Sequence, residues 1–155
     1  FFKGDYARSH DYYNQAIACS RELGNKLILG YSLIEKGSVH AHAGEAAQAR
    51  LLLEEGRDIA LALGNSDLAF GANILRAQSL ILENAHQEAV RHLQQMLLTA
   101  RNEREEAAVH FELRRTDDNP IPHHLRALTL YRSLYEKTPQ YLFKRRIQIL
   151  EEESS

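Results

Sequence analysis

The sequence predicts an all-α fold made of repeated antiparallel helix pairs, and three observations support this prediction. Residues that favour helices, such as alanine, leucine, glutamate and arginine, are abundant, whereas only 8 glycines and 3 prolines occur in 155 residues. Apolar residues recur at spacings of three and four, and the short β-prone stretches lie inside these helical patterns. Parts of the sequence also recur after 40 residues, which indicates an internal repeat.

The repeat is visible at both ends of one helix. Gly-Asp-Tyr-Ala at 4–7 is followed 40 residues later by Gly-Glu-Ala-Ala at 44–47, and after another 40 by Asn-Ala-His-Gln at 84–87. The same offset relates Leu-Gly-Asn at 23–25 to Leu-Gly-Asn at 63–65. Two matches under one offset are much harder to obtain by chance than one, so we predict a repeated pair of helices.

Eight helices are predicted, seven in the repeats and one at the C-terminal end. They cover about residues 5–23, 26–42, 45–63, 67–83, 86–100, 103–115, 123–137 and 140–152. Gly24 and Gly64 follow the first and third helices, where a left-handed residue is needed. Ser66 and Asp67 are expected to cap the start of the fourth helix. Residues 116–122, with two prolines and three Asp or Asn residues, separate the sixth and seventh helices.

Small and large residues recur at fixed places in these units. The first complete unit has Gly37, Gly44, Ala49, Leu53 and Gly56, the next has Ala77, Asn84, Ala89, Leu93 and Met96, and the last has Ala127, Tyr131, Leu134 and Pro139. This pattern resembles the tetratricopeptide repeat family. In such repeats, small residues let the two helix backbones approach closely, and larger residues fill the gap between adjacent units.

The resemblance implies a right-handed superhelix of antiparallel helix pairs, an α-solenoid with a C-terminal capping helix. Residues 1–155 would form one domain, with half a repeat at 1–25, repeats at about 26–65, 66–102 and 103–139, and the last helix at 140–153. The chain begins in the middle of a unit and without an initiator methionine, so we expect it to be a piece of a longer protein.

Two features depart from the family pattern. The period is 40 residues rather than about 34, as in the longer repeats of bacterial signalling ATPases and transcriptional activators, which this chain resembles. In the last unit Arg115 stands where a small residue is expected, and the proline-rich segment shortens the first helix. That unit is therefore expected to be distorted or to act as a cap.

In tetratricopeptide repeats the first helix of each unit lines a concave groove that contacts the ligand. The resemblance implies that the corresponding positions here are Tyr31, Ile34, Glu35, Ser38, His42, Ile74, Gln78, Ile81, Leu82, Glu106, His110 and Leu113. The alternative is that some of them only pack against neighbouring helices, which applies above all to Ile34, Ile74 and Ile81. Their mixed polarity and the absence of a Lys/Arg clamp argue against an acidic chaperone tail as the ligand.

No constellation in the sequence favours catalysis, a cofactor or a metal ion. His40 and His42 are two residues apart, whereas a pair of metal ligands on one helix face needs a spacing of four. His123 and His124 are adjacent and are expected near a helix start. Cys19 is expected as a packed core thiol rather than a nucleophile. We therefore expect no enzyme, no cofactor and no metal site.

One acidic pair leaves an alternative open. Asp117 and Asp118 lie in the predicted loop between the sixth and seventh helices. They could bind a cation, or their side chains could serve the turn.

The charge balance excludes several classes of partner. A net charge of −2, from 19 basic and 21 acidic residues, gives no reason to expect nucleic acid. No apolar run approaches the roughly 18 to 20 residues that span a membrane. The basic cluster at 144–146 is followed by acidic residues at 151–153, which argues against a membrane surface.

The single cysteine fits a reducing compartment, so we expect a cytoplasmic protein.

These observations lead to one functional hypothesis and one alternative. The first is a protein–protein interaction module that binds a peptide or helix of a partner in the concave groove, within a signalling or regulatory protein. The alternative is the effector-sensing domain of a transcriptional activator, which would bind a small molecule or an inhibitor protein. Exposed ends of the repeat array could also stack into a homodimer.

Overall fold

A computed structural model describes residues 3–155, which form eight α-helices and no strand. In chain order these are α1 (Lys3–Leu23), α2 (Lys26–His42), α3 (Ala46–Ala62), α4 (Ser66–Leu82), α5 (His86–Leu98), α6 (Glu103–Leu113), α7 (Pro120–Lys137) and α8 (Tyr141–Glu153). The predicted all-α class is confirmed, and each predicted helix corresponds to one of these helices.

The helices fall into two compact units. The first unit ends at Ala85 and contains α1 to α4, and the second runs from His86 to Ser155 and contains α5 to α8. Among the described residues, no helix combines the length and the apolar character that crossing a membrane requires.

The turns of the first unit share one design. Residues with positive φ stand at positions 24, 44, 64 and 84, a spacing of 20 residues, and they are three glycines followed by Asn84. At Gly64 the next backbone N–H, that of Asn65, donates to the carbonyl of Ala60 at 2.8 Å, and the N–H of Ala85 after Asn84 donates to Leu80 at 2.9 Å. Such bonds satisfy the last carbonyls of the preceding helix. The predicted 40-residue repeat therefore contains two halves that end in the same turn.

Asparagine side chains cap the first helix of each predicted unit. The Asn25 side chain accepts a hydrogen bond from the backbone N–H of Ile28 at 3.1 Å, and that of Asn65 accepts one from Leu68 at 3.0 Å. Asn102 does the same for Glu105 at 2.9 Å. The prediction that Ser66 and Asp67 cap α4 was wrong, because the helix begins at Ser66 and the preceding residue supplies the cap.

The loop before α7 is shorter than predicted. The helix begins at Pro120, not near residue 123, so both prolines lie in its first turn. Proline is tolerated there because the N–H groups of the first turn have no partner within the helix. On the other side of the loop, α6 has 11 residues, whereas α2 and α4 have 17, in agreement with the predicted shortening.

Glycines allow α2 and α3 to pack closely in the first unit. A Cβ atom at Gly37 would lie 2.8 Å from Cγ of Leu53, and one at Gly56 would lie 2.5 Å from Cγ1 of Ile34. Neither distance leaves room for a methyl group. The buried cluster around this crossing consists of Ile34, Leu53, Ala60, Leu68, Ala69 and Ala72, so it joins α2, α3 and α4.

Aromatic residues fill the core of the second unit. The buried cluster joins α6, α7 and α8 and comprises Ala107, Phe111, Ala127, Leu130, Tyr131, Phe143 and Leu150. The guanidinium groups of Arg114 and Arg146 also lie over the ring of Phe111, 3.7 and 3.8 Å from its centroid. Arg115 lies beyond the end of α6 and pairs with Glu112 at 3.0 Å, so it does not occupy a helix crossing.

One expectation about the core is wrong. Cys19, predicted as a packed thiol, is exposed on α1. Among the residues of this helix whose burial the structure describes, 5–23, the buried ones are Ile17 and Ser20, which lie three residues apart on one face. Cys19 falls beside that face rather than on it.

Candidate functional site

Four of the five predicted groove residues on α2 lie along one side of the helix, and three of these four are exposed. Tyr31, Glu35 and His42 are exposed, and Ser38 is half-buried. Their spacings of four, three and four place them along one side of the helix. We call Ile28, Tyr31, Glu35, Ser38 and His42 the α2 strip. Ile28, which the family resemblance does not mark as a groove residue, extends the same side by one turn and is 49% exposed.

The remaining predicted positions of the first unit differ in burial. Ile34 is 4% exposed and belongs to the core cluster of α2, α3 and α4, which is the packing alternative. Ile81 is also buried, at 8% exposure, whereas Ile74 and Gln78 on α4 are half-buried. Leu82, one residue further, is 52% exposed.

Two adjacent tyrosines lie on α1, the helix that packs against α2. Burial and, second, the negative charge of Glu35 raise the pKa of Tyr13 above its ordinary value. Tyr12 is 67% exposed and makes an edge contact with Tyr13, with ring centroids 5.3 Å apart. The surface therefore combines exposed aromatic and aliphatic groups with one carboxylate.

In the second unit, two predicted groove residues share a depression. Glu106 and His110 line an open cavity of about 420 Å³ together with Arg101 and Glu103 and with residues at the end of α5. The third predicted position on this helix, Leu113, is fully buried. Glu106 and His110, the two predicted residues that line the cavity, lie four residues apart on one side of α6.

A chain of hydrogen bonds lies behind His110. Its Nδ1 atom is 3.0 Å from Nδ1 of His123, and Nε2 of His123 is 3.0 Å from Oδ2 of Asp117. Nε2 of His110 is 3.8 Å from Oε1 of Glu106, which is too long for a hydrogen bond. Oε1 of Glu106 instead accepts from Arg126 at 2.9 Å.

Hydrogen bonds and burial shift the pKa values of two members of this series of hydrogen bonds, Asp117 and His110. The backbone N–H of Asn119, which donates to Asp117 at 3.0 Å, and then the contact with His123 hold the pKa of the Asp117 carboxyl below its ordinary value. Burial and then the charge of His123 lower the pKa of His110, an effect that Glu106 partly offsets. Asp117 therefore stabilises the turn through its bond with Asn119, which is one of the two predicted alternatives. It also binds His123.

A second cluster ties α1 to the turn after α2. The carboxylate of Glu45 accepts from the hydroxyl of Tyr6 at 3.0 Å and pairs with Nδ1 of His40 at 2.5 Å. The His40 contact first, and then the Tyr6 contact, lower the pKa of Glu45. The ring of His10 lies edge-on to His40, with centroids 5.3 Å apart. This cluster joins two elements of the scaffold and lies apart from the α2 strip.

The described residues contain no group of three His, Cys, Asp or Glu side chains arranged to hold a metal ion. Comparison with protein-family models finds no match, and comparison with curated proteins finds no significantly similar sequence. The function of the chain is therefore inferred from its packing and its exposed surfaces.

Proposed function

We propose that this chain is a module of tetratricopeptide-like helix pairs that binds a segment of a partner protein. The observation that carries the proposal is the α2 strip, in which Ile28 and Tyr31 are each 49% exposed on a helix whose other side is buried in the core. Exposed large apolar side chains grouped on one helix face are typical of an interaction surface.

The packing of the first unit supports the proposed repeat class. Gly37 and Gly56 stand at the crossing of α2 and α3, which is where the resemblance expects small residues. In addition, α2 packs against both α3 and α4. The first helices of two successive predicted units, α2 and α4, are thus neighbours, as in a stacked array. The right-handed superhelix is part of this proposal.

The surface chemistry indicates the kind of segment that would bind. Ile28 and Tyr31 offer apolar area, and Tyr12 adds an aromatic ring from α1. Glu35 is the exposed carboxylate of the α2 strip and favours a basic side chain on the partner. An amphipathic helix or an extended segment with apolar anchors and a basic residue would match this surface.

A peptide-display selection against the full chain tests this proposal. We expect it to yield peptides that bind the wild-type protein and that lose at least about tenfold in affinity for Tyr31→Ser, because Tyr31 is the aromatic side chain of the strip and aromatic side chains often dominate binding energy at interfaces. Leu51→Ser is the matched control, since Leu51 is 63% exposed on a different helix, α3. Fluorescence anisotropy of the selected peptides measures both affinities.

Two outcomes would contradict the proposal. One is a selection that yields no peptide with saturable binding. The other is a set of peptides whose affinity falls as much for Leu51→Ser as for Tyr31→Ser, because binding would then not involve the α2 strip. Circular dichroism of both variants shows whether either substitution alters the fold.

The cavities of the second unit favour the alternative function enough to test it beside the first. Two of them have volumes of about 430 and 420 Å³, which lie within the range of small-molecule sites. A thermal-shift screen with sugars and nucleotides distinguishes the two functions. A saturable rise in melting temperature with one of these compounds, together with no peptide binding, would favour effector sensing.

A further inference from the structure

The proton positions in the Asp117–His123–His110 chain follow from its geometry. A carboxylate can only accept hydrogen bonds, so Nε2 of His123 must carry the proton that it shares with Oδ2 of Asp117 at 3.0 Å. A neutral His123 then has no proton on Nδ1, and this atom accepts. The bond of 3.0 Å between the two Nδ1 atoms therefore requires that Nδ1–H of His110 is the donor.

This arrangement fixes the state of the remaining ring nitrogen. With its proton on Nδ1, a neutral His110 has an unprotonated Nε2 atom, and this atom lies 3.8 Å from Oε1 of Glu106 on the cavity wall. At high pH the wall therefore presents two acceptors, Nε2 of His110 and the carboxylate of Glu106.

The pair of histidines can take up one additional proton without loss of any hydrogen bond between Asp117, His123 and His110. This proton binds to Nε2 of His110, and the proton between the rings moves from Nδ1 of His110 to Nδ1 of His123. His123 is then an imidazolium beside the Asp117 carboxylate, and His110 remains neutral in the other tautomer. A second proton would place N–H groups on both facing Nδ1 atoms, so the bond between the rings would be lost.

We propose that His110 and His123 form a proton switch that takes up one proton as a unit and turns Nε2 of His110 from a hydrogen-bond acceptor into a donor as pH falls. The switch would change one group on the cavity wall, Nε2 of His110, while the Glu106 carboxylate beside it remains an acceptor. It concerns the protein itself and requires no bound partner, so it goes beyond the proposed function.

The surrounding charges favour placing the positive charge on His123. Asp117 contacts His123 directly, whereas His110 lies near both Glu106 and the guanidinium of Arg126, whose effects on its pKa oppose each other. The side chains of His110 and His123 are 12% and 19% exposed, so both rings are largely removed from water. Arg101 and Glu103, which also line the cavity, are paired with Glu105 and Lys137.

Nitrogen chemical shifts of the imidazole rings test the switch in the full chain. Spectra recorded between about pH 8 and pH 5 span the ordinary histidine pKa. We expect Nε2 of His110 to change from the unprotonated to the protonated type at the same midpoint at which His123 becomes charged. Over this step Nδ1 of His110 should change in the opposite direction, toward the unprotonated type.

Two variants and one control identify the cause. Asp117→Asn removes the negative charge beside His123 and should lower the shared midpoint by about 1 pH unit or more. His123→Gln removes the charge acceptor, so protonation of Nε2 of His110 should move to lower pH and should charge His110 itself. His124→Gln is the control and should leave the midpoint unchanged. His124 bonds to Ser154 and takes no part in the hydrogen bonds between Asp117, His123 and His110.

Separate midpoints for His110 and His123 in the wild-type protein would overturn the switch. So would a His110 midpoint that is the same in the wild type and in both Asp117→Asn and His123→Gln. If the loss of the imidazole ring in His123→Gln perturbs α7, the comparison of the wild type with Asp117→Asn is sufficient to decide.

Discussion

Two glycines inside helices illustrate how single residues define this fold. Gly56 on α3 has Cγ1 of Ile34 and the carbonyl oxygen of Gly30 within 3.2 Å of the position of a Cβ atom. Gly71 on α4 has nothing within 4 Å of that position. The same residue type therefore serves close packing at one site and has no packing role at the other.

The two glycines should respond to alanine with opposite signs. Gly56→Ala should lower the free energy of unfolding by about 1–3 kcal/mol, because the added methyl group has no space. Gly71→Ala should raise it by about 0.5–1 kcal/mol, because alanine favours the helix and meets no neighbour. Urea denaturation followed by circular dichroism measures both. Stabilisation by Gly56→Ala would contradict the close crossing of α2 and α3.

At the level of single residues, burial was harder to predict than periodicity. The sequence placed Ile34 and Tyr31 on one predicted surface, yet Ile34 is buried at 4% exposure and Tyr31 is 49% exposed. They are three residues apart, so a small rotation of the helix decides which one faces its neighbours. The contact between His110 and His123 was also not predictable, because it depends on the fold of the loop between α6 and α7.

Helix ends were predicted through their stop signals more reliably than through their start signals. Gly24, Gly44 and Gly64 mark turns in the sequence, and each has positive φ in the structure. Asn84 adopts the same conformation without being glycine, so the glycines alone did not reveal the fourth turn of this 20-residue series. At the starts, Asn65 competes with Ser66 and Asp67 as a cap, and sequence alone does not rank three adjacent cap-forming residues.

The assignment of Asn65 as the cap of α4 can be tested. Asn65→Ala should reduce the free energy of unfolding by about 1 kcal/mol, because the N–H of Leu68 loses its acceptor. Asn65→Asp should keep most of the stability, since its carboxylate also accepts this bond. Ser66→Ala is the control and should have a smaller effect. A larger loss for Ser66→Ala than for Asn65→Ala in chemical denaturation would show that the cap had been assigned to the wrong residue.

At the scale of the whole molecule, the repeat explains why the all-α class was predictable. One 40-residue offset matched both ends of a helix, and such a pattern constrains several helices at once. The cavity beside α6 was only partly predictable: Glu106 and His110 were selected through the family resemblance, whereas Asp117 and His123 were not. These two residues reach His110 only because α7 begins at Pro120 and folds back along α6.

The proposed function depends on the binding of a partner segment along the α2 strip. Titration of the isotope-labelled chain with a peptide from the display selection, followed by backbone amide chemical shifts, tests it most directly. We expect the largest shift changes at Ile28, Tyr31 and Glu35, with smaller changes on α4 near Gln78. Saturable changes confined to α3, or to the ends of the chain, would contradict it.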